Sequence, residues 1–174
     1  SNVEKLEASL DVPAAEEVVD REAELRALEQ FGGSVLRYSH ISIREDHDVV
    51  LGVVSVYGDA LRYAGLWLRS DRAVVLAAVQ SYGPALEHVA DEELRDDREV
   101  VLAALRQKAS ALAFASHGLK ADANFMTEAA QVNGNAIEHG DSAIRSDRSV
   151  VMAAVQQRGD SLRFASAALQ GDKD

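Results

Sequence analysis

The sequence predicts an all-α fold: an α-helical repeat array (an αα solenoid or superhelix) of about six 25-residue units behind an N-terminal helical cap. Three observations carry that expectation. The phrase DRAVVLAAV, Asp71 to Val79, returns as DREVVLAAL from Asp97 and as DRSVVMAAV from Asp147. Aspartates recur at Asp46, Asp71, Asp97, Asp122, Asp147 and Asp172, at spacings of 25, 26, 25, 25 and 25 residues. The chain is 47% apolar but only 5% aromatic, so alanine and valine fill the apolar positions, which suits short helices packed closely.

Residues 1–19 read as the cap region. Ser1 and Asn2 resemble the remnant of a cleaved purification tag and are left out of the fold reasoning. Val3, Leu6 and Leu10 fall at helical spacing, and Asp11 with Pro13 makes a stop-and-start signal. A second helix is expected from about Pro13 to Gln30, with Val18, Val19, Leu25 and Leu28 on its buried side. Residues 20–174 form the repeat domain, with units near 20–45, 46–70, 71–96, 97–121, 122–146 and 147–171.

Each column of the repeat has a physical reading. The leading aspartate is a helix N-cap, accepting from backbone N–H groups of the first turn. Positions three to eight after it are apolar, Val74 to Val79 in the clearest unit, so the helix must be sandwiched on several sides. Gly58, Gly83, Gly134 and Gly159 are expected to end these helices as left-handed C′ residues. Ala109 holds that place in the fourth unit and should alter its turn. A shorter helix follows, with Leu61, Leu86, Leu112, Ile137 and Leu162 in one column. Tyr63, His88, Phe114, His139 and Phe164 stand two residues on, and a closing turn carries Leu68, Leu94, Leu119, Ile144 and Leu169.

These residues also carry a resemblance. The pattern in DRAVVLAAVQSYGPALEHVA and DREVVLAALRQKASALAFAS resembles the repeat of the microbial family called domain of unknown function 4116, over residues 20–171. The resemblance implies a helical repeat fold and brings no catalytic residues. The fifth unit departs most from the pattern, with Thr127, Glu128 and Gly140 at apolar or alanine positions.

Composition narrows the chemistry. Net charge is −11, and residues 1–31 carry nine acidic side chains against three basic ones, a field that repels nucleic acid and anionic membranes. Apolar runs such as Val49 to Val54 fall far short of the roughly 18 residues of a membrane span. With no cysteine, disulfides and thiolate metal sites are excluded; cytoplasm is the default compartment. GxSxG, GxxxxGK[ST] and HExxH are all absent, so no catalytic residue, cofactor or metal is assigned. His88 and His139 share a column with Tyr63, Phe114 and Phe164 and read as structural infill. His40 and His117 are placed in outward turns, and the cluster Glu45 to Asp48 around His47 reads as a helix cap with first-turn acids.

Two exposed features remain as interaction candidates. Arg69, Arg95, Lys120 and Arg145 form a basic column, readable as a ladder for phosphates or as inter-unit ion pairing with the neighbouring aspartates, which Arg72, Arg98 and Arg148 directly follow. Gln80, Arg106, Gln131 and Gln156 form a parallel polar column. Leu66 and Trp67, with Ile41 one unit earlier, are apolar where later units carry Asp91, His117, Ser142 and Ala167 opposite Leu66. The repeat does not demand them, which makes them the candidate contact surface for a protein or peptide. The competing account has Leu6 and Leu10 fold over them. Self-association is a third expectation, through an apolar end face bearing Val151, Val155 and Leu162.

Overall fold

The computed structural model describes residues 20–171. The cap helix expected within residues 1–19, and Asp172, lie outside them. Among the described residues there is no strand. Six long helices recur at the predicted spacing: α1 (Arg21–Phe31), α2 (His47–Val56), α3 (Arg72–Ser81), α4 (Arg98–Gln107), α5 (Ala123–Val132) and α6 (Arg148–Gln157).

Each long helix starts at the aspartate for the expected reason. The carboxylates of Asp71, Asp97, Asp122 and Asp147 each accept from two amides of the first turn, and Asp46 accepts from Val49 N–H. Asp20 belongs to the same column, accepting from Ala23 N–H at 3.0 Å. This corrects the expected start near Pro13. Asp20 has non-helical angles, φ −72° and ψ 80°, so the helix begins after it.

The long helix leads into a 3₁₀ segment, Gly58–Tyr63 in the second unit and Gly83–His88 in the third. Its apolar column is sealed: Leu61, Leu86, Leu112 and Ile137 are completely buried. A short closing turn then returns the chain, and its backbone is tied to the preceding unit. Gly65 N–H donates to the Arg44 carbonyl at 2.8 Å, Ala90 to Arg69 at 3.0 Å, Ser116 to Arg95 at 2.9 Å and Ser166 to Arg145 at 2.8 Å.

The glycine column has a different cause from the one expected. Gly32 is the sole positive-φ residue among those described, so Gly58, Gly83, Gly134 and Gly159 are not left-handed caps. Gly58, Gly83 and Gly134 are needed for close approach. A Cβ on Gly58 would stand 2.2 Å from the Ala78 carbonyl oxygen, one on Gly83 2.3 Å from that of Ala104, and one on Gly134 2.7 Å from that of Ala154. The carbonyl always belongs to the next unit's long helix. At Gly159 nothing lies within 4 Å.

Ala109 likewise does not alter its turn. Lys108 before it has φ −157° and ψ 129°, beside φ −151° and ψ 109° at Asn133. The fifth unit's departures are also accommodated: Thr127 Oγ1 donates to the Ala123 carbonyl at 2.8 Å, and Glu128 pairs with Arg98 at 2.9 Å.

These contacts set two glycines apart. Gly83→Ala should destabilise the chain by about 1–3 kcal/mol, because a methyl is forced onto backbone oxygen. Gly159→Ala should be neutral or stabilise by up to about 1 kcal/mol through the unfolded state. Urea unfolding of the two variants beside the parent checks the contrast.

Candidate functional site

The repeat gives the array two long edges, one at the N-terminal ends of the helices and one at their C-terminal ends. Ten residues of helix separate them, roughly 15 Å at 1.5 Å per residue.

The first edge holds Ile41, Leu66 and Trp67. They stay in the open: Leu66 is 69% exposed, Trp67 51% and Ile41 46%. Ile41 opens the first closing turn, and Leu66 and Trp67 precede the second; the Gly65–Arg44 backbone bond ties those turns together. Trp67 stacks on His47, with ring centroids 6.4 Å apart and planes inclined by 23°. His47 reaches Asp48 at 3.2 Å and Asp71 at 3.9 Å. The acidic cluster around it caps α2, and the Val49 amide and Arg21 hold the Asp46 carboxyl below the usual range. No group of three or more potential metal ligands occurs among the described residues.

The same edge carries the inter-unit ion-pair ladder, built from the arginines that follow the capping aspartates and not from the Arg69 column. Residues just after each capping aspartate pair with the next unit's cap: Arg21 with Asp46 at 2.5 Å, Arg72 with Asp97 at 2.9 Å and Arg98 with Asp122 at 3.3 Å. Arg72 also reaches Glu99 at 2.5 Å. Burial pushes the Asp97 carboxyl up, but the Arg72 hydrogen bond and two backbone amides outweigh it and leave it lowered. These groups are half exposed, so the ladder's contribution is modest and salt-screened.

The basic column does other work. Arg69 Nε donates to the His88 carbonyl at 2.6 Å, an Arg95 guanidinium N–H to that of Val89 at 2.5 Å, and Lys120 Nζ to that of Ala113 at 3.2 Å. All three satisfy carbonyls near the ends of 3₁₀ segments. Arg145 is exposed and makes no such bond. Gln80, Arg106, Gln131 and Gln156 all face solvent.

Sequence reasoning passed over the second edge. Phe31, Val56, Tyr57 and Tyr82 are exposed there, and a cleft of about 360 Å³ runs between Tyr57 and Tyr82, flanked by Val56, Asp59, Arg62 and Ser81. A signal was present: Tyr57 and Tyr82 share a column that continues as Lys108, Asn133 and Arg158, a mixture no buried position tolerates.

The model of the family described as "Domain of unknown function (DUF4116)" matches this chain three times, over residues 46–95, 71–120 and 122–170. The chain belongs to that family. Its repeat supplies the capping aspartates, the alanine pair and the sealed leucine column, whereas Leu66, Trp67 and the tyrosine cleft are additions particular to certain units. Neither a curated protein nor a solved structure matches the chain. No helix among the described residues is long and apolar enough to cross a membrane.

His88 and His139 are partly buried in the aromatic column, and burial pushes both imidazoles below their ordinary value of 6.5. In the unfolded chain they regain it. As pH falls through 6.5 the unfolded state therefore takes up protons that the folded state resists, and stability declines; well above 6.5 both states are neutral and the effect vanishes. The double variant His88→Phe, His139→Phe should lose less melting temperature than the parent between about pH 7.5 and pH 5.5, as thermal unfolding followed by circular dichroism would show.

Proposed function

We propose that this chain is a non-catalytic helical repeat scaffold that binds a protein or peptide segment along the edge formed by Ile41, Leu66 and Trp67. The observation that supports it is the exposure of three large apolar side chains, one of them 69% exposed, at positions the repeat leaves free. Tryptophan is enriched at the energetic centres of protein interfaces. A short stretch with two adjacent apolar anchors fits an apolar segment of a partner. The stacked His47 holds the Trp67 ring at low entropic cost. The net charge of −11 weighs against a phosphate or nucleic-acid ladder on the Arg69, Arg95 and Lys120 column.

Trp67 is the single tryptophan in the chain, so its fluorescence reports on this edge alone. Acrylamide should quench it efficiently in the free folded protein, and a bound peptide selected by display should shift its emission to the blue. Trp67→Ala should leave the melting temperature within a few degrees of the parent while abolishing that peptide's binding. Protection of Trp67 in the free protein, or a large loss of stability in the variant, would show a buried structural residue instead.

A second reading, a self-associating unit, rests on the far end face. Val54, Val79, Leu105 and Ala130 are completely buried, whereas Val155 in the same column is only partly so; Leu162 is partly buried and Met152 exposed, while Val151, also expected on this face, is buried. If this face pairs, sedimentation should show a dimer that Met152→Glu converts to monomer. A parent that stays monomeric removes the reading.

A further inference from the structure

Two clefts occupy equivalent places in the array, fifty residues apart. One, of about 300 Å³, lies against Glu92, Arg95, Ser116 and His117; the other, of about 170 Å³, is lined by Ser142, Arg145, Ser146, Phe164, Ala165 and Ser166. Both form where the closing turn of one unit meets the loop after the 3₁₀ segment of the next. The same backbone bond closes each, Ser116 N–H to the Arg95 carbonyl and Ser166 N–H to the Arg145 carbonyl.

Their polar contents differ. At the first cleft the Ser116 hydroxyl is fully used: it donates to the Asp96 carboxylate and accepts from Leu119 N–H at 3.0 Å. At the second, Ser146 stands where Asp96 stood and Ser142 where Glu92 stood. Ser166 has lost its acceptor, and its Oγ is buried with no hydrogen-bond partner. It makes no cap bond either. Such an orphaned hydroxyl carries a desolvation cost until something accepts from it. The Arg145 guanidinium beside it makes no ion pair among the described residues, unlike Arg21, Arg72 and Arg98.

We infer that the cleft of Ser142, Arg145, Ser146 and Ser166 binds a small oxyanion, a carboxylate or phosphate group, in the place that the Asp96 carboxylate fills two units earlier. The cleft offers three hydroxyl donors and one guanidinium, a set that satisfies the several lone pairs of such an anion. The half-buried Phe164 ring on one wall limits competing water. Of the nearby acids, Asp141 is turned to Ile144 N–H at 2.9 Å and Asp147 to Ser149 and Val150 N–H at 2.8 and 3.2 Å, so neither carboxylate is committed to the cleft. The site stands independently of the Trp67 edge, which lies on other units.

The test uses the full chain with inorganic phosphate and, separately, sodium acetate, each against chloride at matched ionic strength. Amide chemical shifts of residues 142–146 and 163–166 should move along a saturating curve with at least one of the two anions. Response to acetate alone marks a carboxylate site, and a stronger response to phosphate marks a phosphate site. Arg145→Ala, at an exposed position, should weaken binding about tenfold. Ser146→Asp should restore the internal acceptor, raise the melting temperature in anion-free buffer and abolish the anion response. No saturable shift with either anion, or an undiminished response in Ser146→Asp or Arg145→Ala, would overturn the inference.

Discussion

The array depends on one close approach repeated at three of its junctions: a C-terminal carbonyl of a long helix sits against the bare backbone of Gly58, Gly83 or Gly134 at the end of the helix before. With 2.2 to 2.7 Å between those oxygens and the place a Cβ would occupy, no side chain intervenes. Alanines do the same along the helix body, where Ala78, Ala104, Ala129 and Ala154 are completely buried. Thin contacts of this kind let short helices exclude water with few large side chains, which explains how a chain with so few aromatics builds a continuous core. They also leave little freedom in the spacing between units, because backbone yields less readily than a side chain.

That rigidity accounts for the polar ladder along the edge. Once the spacing is fixed by glycine and alanine, an arginine one place after a capping aspartate lies within reach of the next unit's cap. The ladder follows from the packing and reinforces it modestly. It breaks where the repeat varies: the fifth unit has Ala123 in place of the arginine. Arg98, in the unit before, makes the ordinary rung to Asp122 and reaches Glu128 as well, while its guanidinium lies 5.2 Å from the centroid of Phe125.

The period, the capping aspartates and the sealed leucine column were legible in the sequence because each is imposed separately on every unit, so six copies of a weak local signal reinforce one another. The glycine column was seen but misread. A glycine at a helix end suggests left-handed geometry when only its own helix is considered; the true constraint comes from a carbonyl 20 or 21 residues further on. The basic column was misassigned for a similar reason, since spacing alone places Arg69 and Arg95 near aspartates and cannot reveal that they reach 3₁₀ carbonyls. Ile41, Leu66 and Trp67 were found because they break the repeat. Tyr57 and Tyr82 were missed because they sit beside a conspicuous glycine that drew the explanation to itself.

A fold with so many columns committed to packing leaves few places where new chemistry can arise, and they are predictable. Substituting within the alanine, valine or leucine columns disturbs two interfaces at once, so variation collects in the closing turns and at the helix ends. There, one exchange changes the function of a place without changing its shape. Asp96 and Ser146 occupy equivalent backbone with the same Ser–Arg carbonyl bond above them, yet in one cleft the serine hydroxyl is satisfied and in the other it is orphaned. Leu66 and Asp91 make the same point on the outer edge: at the same turn position one offers an apolar anchor, while the other caps a turn through Glu93 N–H at 2.9 Å. The repeat thus behaves as a fixed frame in which each unit's turn can be altered on its own.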